Sequence, residues 1–240
     1  MLELKNLSAS IEGQPILSDV SYTFASGSTT ALLGPNGSGK STLAASILGH
    51  PSITLSENAD ILFDGQSLKD LSPDKRARLG LFLSFQNPLP LSGVSLMDML
   101  RVALLGEHSE FDALTLHKTA HLYAEELGIP KELLKRSLYE GFSGGEKKKV
   151  EALQAALFAP RFAIFDEIDT GVDVDALKKI VAFLKAHLPE DSTLVFITHS
   201  HKLLNALGPD HVVVLKDGRV VKTGEQELAE NIEQNGFSQF

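Results

Sequence analysis

Nine consecutive residues, Gly34-Pro35-Asn36-Gly37-Ser38-Gly39-Lys40-Ser41-Thr42, restrict what this chain can become more than any other stretch. They fit G-x-x-x-x-G-K-[ST], a phosphate-binding loop. A loop that wraps a triphosphate brings several backbone N–H groups close to oxygen. Side chains at Gly34, Gly37 and Gly39 would block that approach or forbid the backbone angles it needs. Lys40 brings positive charge to the β- and γ-phosphates, and the Ser41 hydroxyl suits Mg²⁺. The β-prone run Thr29-Thr30-Ala31-Leu32-Leu33 precedes the loop. Residues 41–48 read as a helix with Leu43, Ile47 and Leu48 on one face. The positive end of that helix adds to the anion site.

Strand, loop and helix in that order predict an α/β protein, and the later segments agree. Residues 2–24 read as strands broken at Gly13-Gln14-Pro15, a small antiparallel sheet beside the nucleotide. Ser72 and Pro73 give a helix start. Gly80-Leu81-Phe82-Leu83-Ser84-Phe85 reads as a strand buried on both faces, ending at Gln86-Asn87-Pro88-Leu89-Pro90. Residues 95–137 read as mostly helical, with Gly128 closing one helix. Phe162-Ala163-Ile164-Phe165 and Leu194-Val195-Phe196-Ile197-Thr198 are further buried strands, and Leu177, Ile180, Val181, Leu184 and Leu188 form a helical stripe. Asp217-Gly218 marks a two-residue hairpin. Strands alternating with helices give a mainly parallel sheet.

Two more constellations carry chemistry. The strand ending in Asp166-Glu167 delivers two carboxylates to the edge where ligands of open α/β folds bind. Asp166 suits Mg²⁺, and Glu167 suits the orientation or deprotonation of an attacking water. His199, at the end of another strand, suits the γ-phosphate. Ser143-Gly144-Gly145 opens a helix and presents N–H groups to an anion. One nucleotide rarely needs two such sites in one chain, so Ser143, Gly144 and Gly145 are expected to contact the γ-phosphate held by another subunit.

On these residues the whole chain resembles the nucleotide-binding subunits of ATP-binding-cassette (ABC) proteins. Gly34 to Thr42 match the Walker A motif and Gln86 the Q-loop. Ser143-Gly144-Gly145-Glu146 match the signature and Asp166-Glu167 Walker B. Residues 168–173 match the D-loop and His199 the switch histidine. The resemblance implies a P-loop NTPase core with an N-terminal antiparallel β subdomain and an inserted α-helical subdomain. It implies a single domain over 1–240, with 1–89 and 156–240 as the nucleotide-binding core and 90–155 as the helical, signature-bearing part. ATP would lie between Walker A of one copy and the signature of a second. Ser41, Gln86 and Asp166 would hold Mg²⁺, and Glu167, His199 and Gln86 would serve hydrolysis.

Finer features are similar to the SufC branch, the ATPases of the SUF iron–sulfur assembly system. They include Gly49-His50-Pro51, residues 76–88, 141–148, Gln154-Ala155-Ala156-Leu157 and residues 173–177. Glu146, where many transporter subunits have Gln, also fits. Tyr139, Val150 and Ser200 depart from that branch. Ile11, near the adenine-stacking position, offers aliphatic cover without aromatic stacking. The branch implies SufB/SufD-like scaffold proteins as partners. The competing expectations are the ATPase of a membrane transporter and a module that binds ATP without hydrolysing it, and Glu167 speaks against the second.

Composition narrows the partners. A formal net charge of −9 argues against nucleic acid, which needs a basic surface. No apolar run approaches the roughly 18 residues a membrane helix needs, and the N-terminus has no signal-peptide pattern, so a soluble cytoplasmic protein without direct membrane insertion is expected. The chain has no cysteine. Protein-held iron–sulfur clusters normally use thiolate ligands, so a partner would supply them. His117 and His121 have helical spacing but no completing acid motif, and Lys147-Lys148-Lys149 is expected to be a solvated helix turn.

Overall fold

The computed structural model describes residues 1–105, 112–237 and 239. Its elements run β1 (Leu2–Ile11), β2 (Gln14–Phe24), β3 (Thr29–Leu33), α1 (Lys40–Leu48), β4 (Ile53–Leu55), β5 (Asp60–Phe63), β6 (Gln66–Ser67), α2 (Pro73–Arg78) and β7 (Leu81–Ser84). Then come β8 (Leu91–Ser95), α3 (Leu96–Leu105), α4 (Ala113–Leu127), a 3₁₀ turn (Lys131–Leu134), β9 (Ser137–Leu138) and α5 (Gly144–Phe158). The chain continues with β10 (Phe162–Asp166), α6 (Val174–His187), β11 (Thr193–Ile197), α7 (His201–Leu207), β12 (His211–Lys216), β13 (Arg219–Gly224) and α8 (Gln226–Asn235). These elements form two compact units, residues 1–83, 161–167 and 189–240, and residues 84–160 and 168–188.

The first unit holds two sheets. One is antiparallel, in the order β2-β1-β5-β6 with β4 also on β1. The other runs β13-β12-β3-β11-β10-β7, and its strands β12, β3, β11 and β10 are parallel. The α/β architecture and mainly parallel sheet expected from the alternation of segments are therefore present. Successive residues of a strand face opposite sides. Leu32 and Val213 accordingly join a core with Phe24, Leu43 and Phe162, while Leu33 and Val214 join another with Leu204, Ala229 and Ile232. Coverage of both faces explains why all five residues of β10 are buried and show no alternation. Strand β7 is less enclosed than its apolar run suggested, since Phe82 and Leu83 are only half-buried. Asp217 and Gly218, at φ 48° and 72°, make the tight hairpin between β12 and β13.

The second unit is built on α3, α4, α5 and α6. Asp112 caps α4 by accepting from the N–H groups of Leu114 and Thr115, and Gly128 ends it in the left-handed conformation. Tyr123 of α4 packs edge-on against Phe183 of α6 at 5.2 Å between ring centres. The helical run expected from residue 95 is preceded by a strand, β8, that the sequence did not announce. β8 pairs antiparallel with β9, Leu91 opposite Leu138. Pro88 and Pro90 leave the chain extended there, and the backbone of β9, more than forty residues away, supplies the partner. Residues 106–111, part of the expected helical run, lie outside the described residues. Among the described residues no helix is long and apolar enough to cross a membrane.

Candidate active site

Three neighbouring parallel strands bring the chemistry of the first unit to one edge. In register across the sheet, Asp166 of β10 stands beside Ile197 of β11, and Ile197 beside Leu32 of β3. The next residues along each chain are Glu167, Thr198 with His199, and Leu33 with Gly34. Adjacent strands are about 4.8 Å apart. The carboxylates, the exposed His199 and the phosphate loop therefore converge at the C-terminal ends of the strands, where the sequence placed them.

The loop's shape is imposed from within the same unit. A Cβ at Gly34 would lie 2.0 Å from the carbonyl oxygen of Leu215, and one at Gly39 would lie 2.7 Å from Cδ2 of Leu17. Gly34 is required by close packing against the β12 backbone as well as by positive φ, whereas at Gly39 the φ of 102° decides, because the Leu17 methyl is the end of a side chain that can shift. The Gly218 N–H donates to the Ser38 carbonyl at 3.1 Å, and the Ser18 N–H donates to the Gly218 carbonyl at 2.9 Å. The hairpin after β12 thus pins the loop to β2. Nothing in the sequence motif itself announced that clamp.

Lys40 is buried and folds back on its own loop, donating to the carbonyls of Gly34 at 2.8 Å and Pro35 at 3.0 Å. Burial pulls its ammonium below the usual lysine pKa, while the nearby Glu167 and Asp166 carboxylates oppose that shift. This electrostatic link ties Walker A to the acidic strand end. Glu167 is half-buried and has φ 52°, rare for a residue with a side chain, and its N–H donates to the Ile197 carbonyl at 2.9 Å. Such strain costs about 1–3 kcal/mol and is characteristic of functional positions.

The residues fit a magnesium–triphosphate. No side chain caps α1, and its first turn holds no acid, so the helix start favours an anion. Ser38 is 3% exposed, and its hydroxyl finds no hydrogen-bond partner among the described residues. Leaving it so costs about 1–3 kcal/mol, which a phosphate oxygen would recover. Ser41, exposed on the first turn, and Asp166, buried at the end of its strand, offer the hard oxygen donors that Mg²⁺ prefers. Pro35, Asn36, Gly37 and Thr42 complete the loop around them. Ile11 ends β1, opposite Gln14 and Ile53.

In the second unit Ser143 caps α5 in a full capping box. Its hydroxyl accepts from the Glu146 N–H at 3.3 Å, and Glu146 Oε2 accepts from the Ser143 N–H at 2.7 Å. The Ser143 N–H and the Ser143 hydroxyl, at 2.8 Å, both donate to Oε2 and hold the Glu146 carboxyl below its usual pKa. Among the described residues, a Cβ at Gly144 or Gly145 would meet nothing nearer than the Gly171 carbonyl oxygen, 3.8 and 3.7 Å away, which is ordinary contact. Gln86 has an exposed side chain, and its carbonyl accepts from Lys148 Nζ at 3.0 Å. Lys148 is therefore not part of a solvated turn. It is 3% exposed and ion-paired with the equally buried Glu151. Three lysines in a row read as surface, and only the packing of α5 shows that the middle one points inward. The His117 and His121 rings lie with centres 4.4 Å apart, tilted at 47°, and among the described residues no group of three metal-ligating side chains exists.

Comparison with known proteins places these features in context. The family model described as ABC transporter matches residues 17–170. A Streptococcus pyogenes protein named as a probable ABC transporter ATP-binding protein is 41% identical, over 99% of this chain and 94% of its own. A Synechocystis protein named as a probable ATP-dependent transporter is 44% identical, over 99% and 94%. The solved structure of an ATP-binding subunit of an ABC transporter superposes with a TM-score of 0.80 at 26% identity, covering 98% of this chain and 93% of its own. A dimeric ATP-binding cassette bound to ADP and phosphate gives a TM-score of 0.79 at 21% identity, over 94% and 99%.

Proposed function

This chain belongs to the ABC transporter family of ATPases, and we propose that within it the chain serves as the SufC-type ATPase of an iron–sulfur assembly machine. In this reading two copies close around two ATP molecules and drive conformational change in a SufB/SufD-type scaffold. The observation that carries the hydrolytic part is the convergence of the phosphate loop, Asp166 and Glu167 on one sheet edge, with Lys40 feeling both carboxylates. The SUF assignment rests on the residue resemblance, above all Glu146 in place of Gln. The lack of cysteine agrees, since a partner would then carry the cluster.

The residues divide the work. Backbone N–H groups of residues 36–42 bind the phosphates, and Lys40 exchanges its two loop carbonyls for phosphate oxygens. Ser41 and Asp166 would hold Mg²⁺, which would supply positive charge against that developing on the phosphate oxygens. Glu167 orients the attacking water and takes its proton. His199 donates to the γ-phosphate. Ser143, Gly144 and Gly145 close the site of the second copy. Their glycines satisfy no crowded contact inside this chain, which supports an outside ligand. Function would divide along the chain as 1–89 and 156–240 for the nucleotide-binding core and 90–155 for the signature-bearing part.

The scaffold would dock on residues 87–104. Leu89 is 80% exposed, and Leu91 and Val94 are exposed beside it, whereas Leu96 and Leu100 pack inward. The available surface is therefore the start of that segment. Leu89→Asp with Leu91→Asp is expected to abolish binding to a purified SufB–SufD complex while basal ATP hydrolysis persists. Binding retained by the folded variant would place the docking site elsewhere. The names of the relatives favour a second reading, the ATPase subunit of a membrane transporter. Affinity capture from the native host separates the two, because one partner is a soluble scaffold and the other a multi-span membrane protein.

A further inference from the structure

Gly218, in the hairpin between β12 and β13, lies closer to its neighbours than its turn requires. The turn asks for positive φ at this position, here 72°, and asparagine also adopts that conformation. The surroundings ask for more. A Cβ at Gly218 would lie 2.2 Å from the Ile16 carbonyl oxygen, 3.1 Å from the Ile16 carbonyl carbon and 3.2 Å from the Leu17 Cα. All three are backbone atoms of β2, so no side-chain movement relieves the collision. Only glycine fits.

Gly218 spends both of its backbone groups on this contact. Its carbonyl accepts from the Ser18 N–H of β2 at 2.9 Å, and its N–H donates to the Ser38 carbonyl of the phosphate loop at 3.1 Å. The second bond sets a direction. No peptide bond among the described residues is cis, so the C=O of Ser38 and the N–H of Gly39 point opposite ways across their shared peptide. With the Ser38 carbonyl held on Gly218, the Gly39 N–H is turned to the other side of the loop. Gly39 is buried, and among the described residues its N–H meets no acceptor. A buried N–H left so is costly, and a phosphate oxygen would satisfy it. The bond from Gly218 also polarises the peptide, which strengthens the Gly39 N–H as a donor.

We infer that Gly218 is a positioning residue for the nucleotide: wedged on the backbone of β2, it holds the Ser38–Gly39 peptide with its N–H aimed at the phosphates. This role rests on the proposed binding of ATP by residues 36–42. It brings into the site a residue far from the motif in sequence, and it gives a reason for an approach that the turn alone does not need. The effect is reciprocal, since phosphate on one side of the peptide tightens the bond on the other.

The test compares full-length wild type with Gly218→Ala, Gly218→Asn, Lys40→Ala and Gly65→Ala. Gly65 turns between β5 and β6 at φ 82° with nothing within 4 Å of a Cβ, so Gly65→Ala strains a turn of the same unit and leaves the loop alone. ADP affinity is measured by calorimetry and stability by urea denaturation. Gly218→Ala is expected to weaken ADP binding about tenfold, while Gly65→Ala stays within about twofold of wild type. Gly218→Asn is expected to match Gly218→Ala, because asparagine tolerates the turn but brings the same Cβ. Wild-type affinity in folded Gly218→Ala overturns the inference, as does recovery in Gly218→Asn or an equal loss in Gly65→Ala. Should the Gly218 variants fail to fold, hydrogen exchange of the wild type decides. ADP is expected to slow exchange of the Gly218 amide about tenfold or more, and by more than it slows the Leu68 amide, whose partner is the Ile61 carbonyl. A Gly218 amide slowed no more than that of Leu68 overturns the inference. Wild-type ADP affinity in Lys40→Ala overturns the reading of the loop, and the role of Gly218 with it. Affinity lost in Lys40→Ala but kept in Gly218→Ala overturns the role of Gly218 alone.

Discussion

The chain carries two glycine-rich segments at helix starts, and they differ in what surrounds them. In the phosphate loop, Gly34 and Gly39 are pressed against Leu215 and Leu17, and a side chain at either would collide with this chain's own atoms. In the signature, Gly144 and Gly145 meet nothing closer than ordinary contact. Gly34 is demanded by the fold as well as by phosphate. The signature pair is crowded by nothing among the described residues, and in the proposed function it leaves room for a phosphate held by a second copy. Glycine at the start of a helix weakens the helix, and the capping box of Ser143 and Glu146 offsets part of that weakness while leaving the N–H groups presented.

Substitutions can break or sharpen this contrast, and the largest effect is expected at Gly34. Gly34→Ala should lower folding stability by about 3 kcal/mol or more, through the collision with Leu215 and the strained φ of 155°. Urea denaturation measures it, and near wild-type stability would mean the loop is less tightly clamped than its contacts imply. Lys40→Ala should leave the protein folded and weaken ATP binding about a hundredfold, since two or so charge-assisted hydrogen bonds are lost. Nucleotide titration by calorimetry checks this, and unchanged affinity would remove Lys40 from the phosphates.

Gly145→Ala carries the opposite expectation to Gly34→Ala. Stability should stay within about 1 kcal/mol of wild type or rise, and ATP affinity of the isolated chain should not change. ATP-driven dimerisation, followed by light scattering, should be lost. A stability loss matching that of Gly34→Ala would erase the distinction between the two segments.

The smallest effect is expected at Glu146. Glu146→Ala removes the reciprocal half of the capping box and should cost about 1 kcal/mol near neutral pH. The folded carboxyl has a pKa below the ordinary value of 4.5, so its contribution is present above that value and is lost as pH falls through the lower, folded one. The gap in melting temperature between wild type and variant should therefore close as the solution is acidified. A gap that widens on acidification would contradict the sign.

Much of the site was legible because its signals are local. The phosphate loop and Asp166-Glu167 each sit within a few residues of a strand, and parallel strands carry whatever follows them to one edge. The clamp of β2 and the Asp217-Gly218 hairpin on the loop was hidden, because Leu17, Leu215 and Gly218 are far from Gly34 in sequence. The inward turn of Lys148 was hidden for the same reason. Its burial depends on carbonyls at 85 and 86, more than sixty residues away. The strand at Leu91–Ser95 escaped because its partner, Ser137–Leu138, is two residues long and carries no pattern of its own.

In the proposed function Glu167 drives hydrolysis of ATP held between two copies of this chain. Glu167→Gln keeps the shape of the side chain and removes its capacity to take a proton. With ATP and Mg²⁺, phosphate release from this variant should fall by about a hundredfold or more, while light scattering shows a dimer that persists until ATP is removed. Phosphate release at the wild-type rate, with no accumulated dimer, would contradict the account.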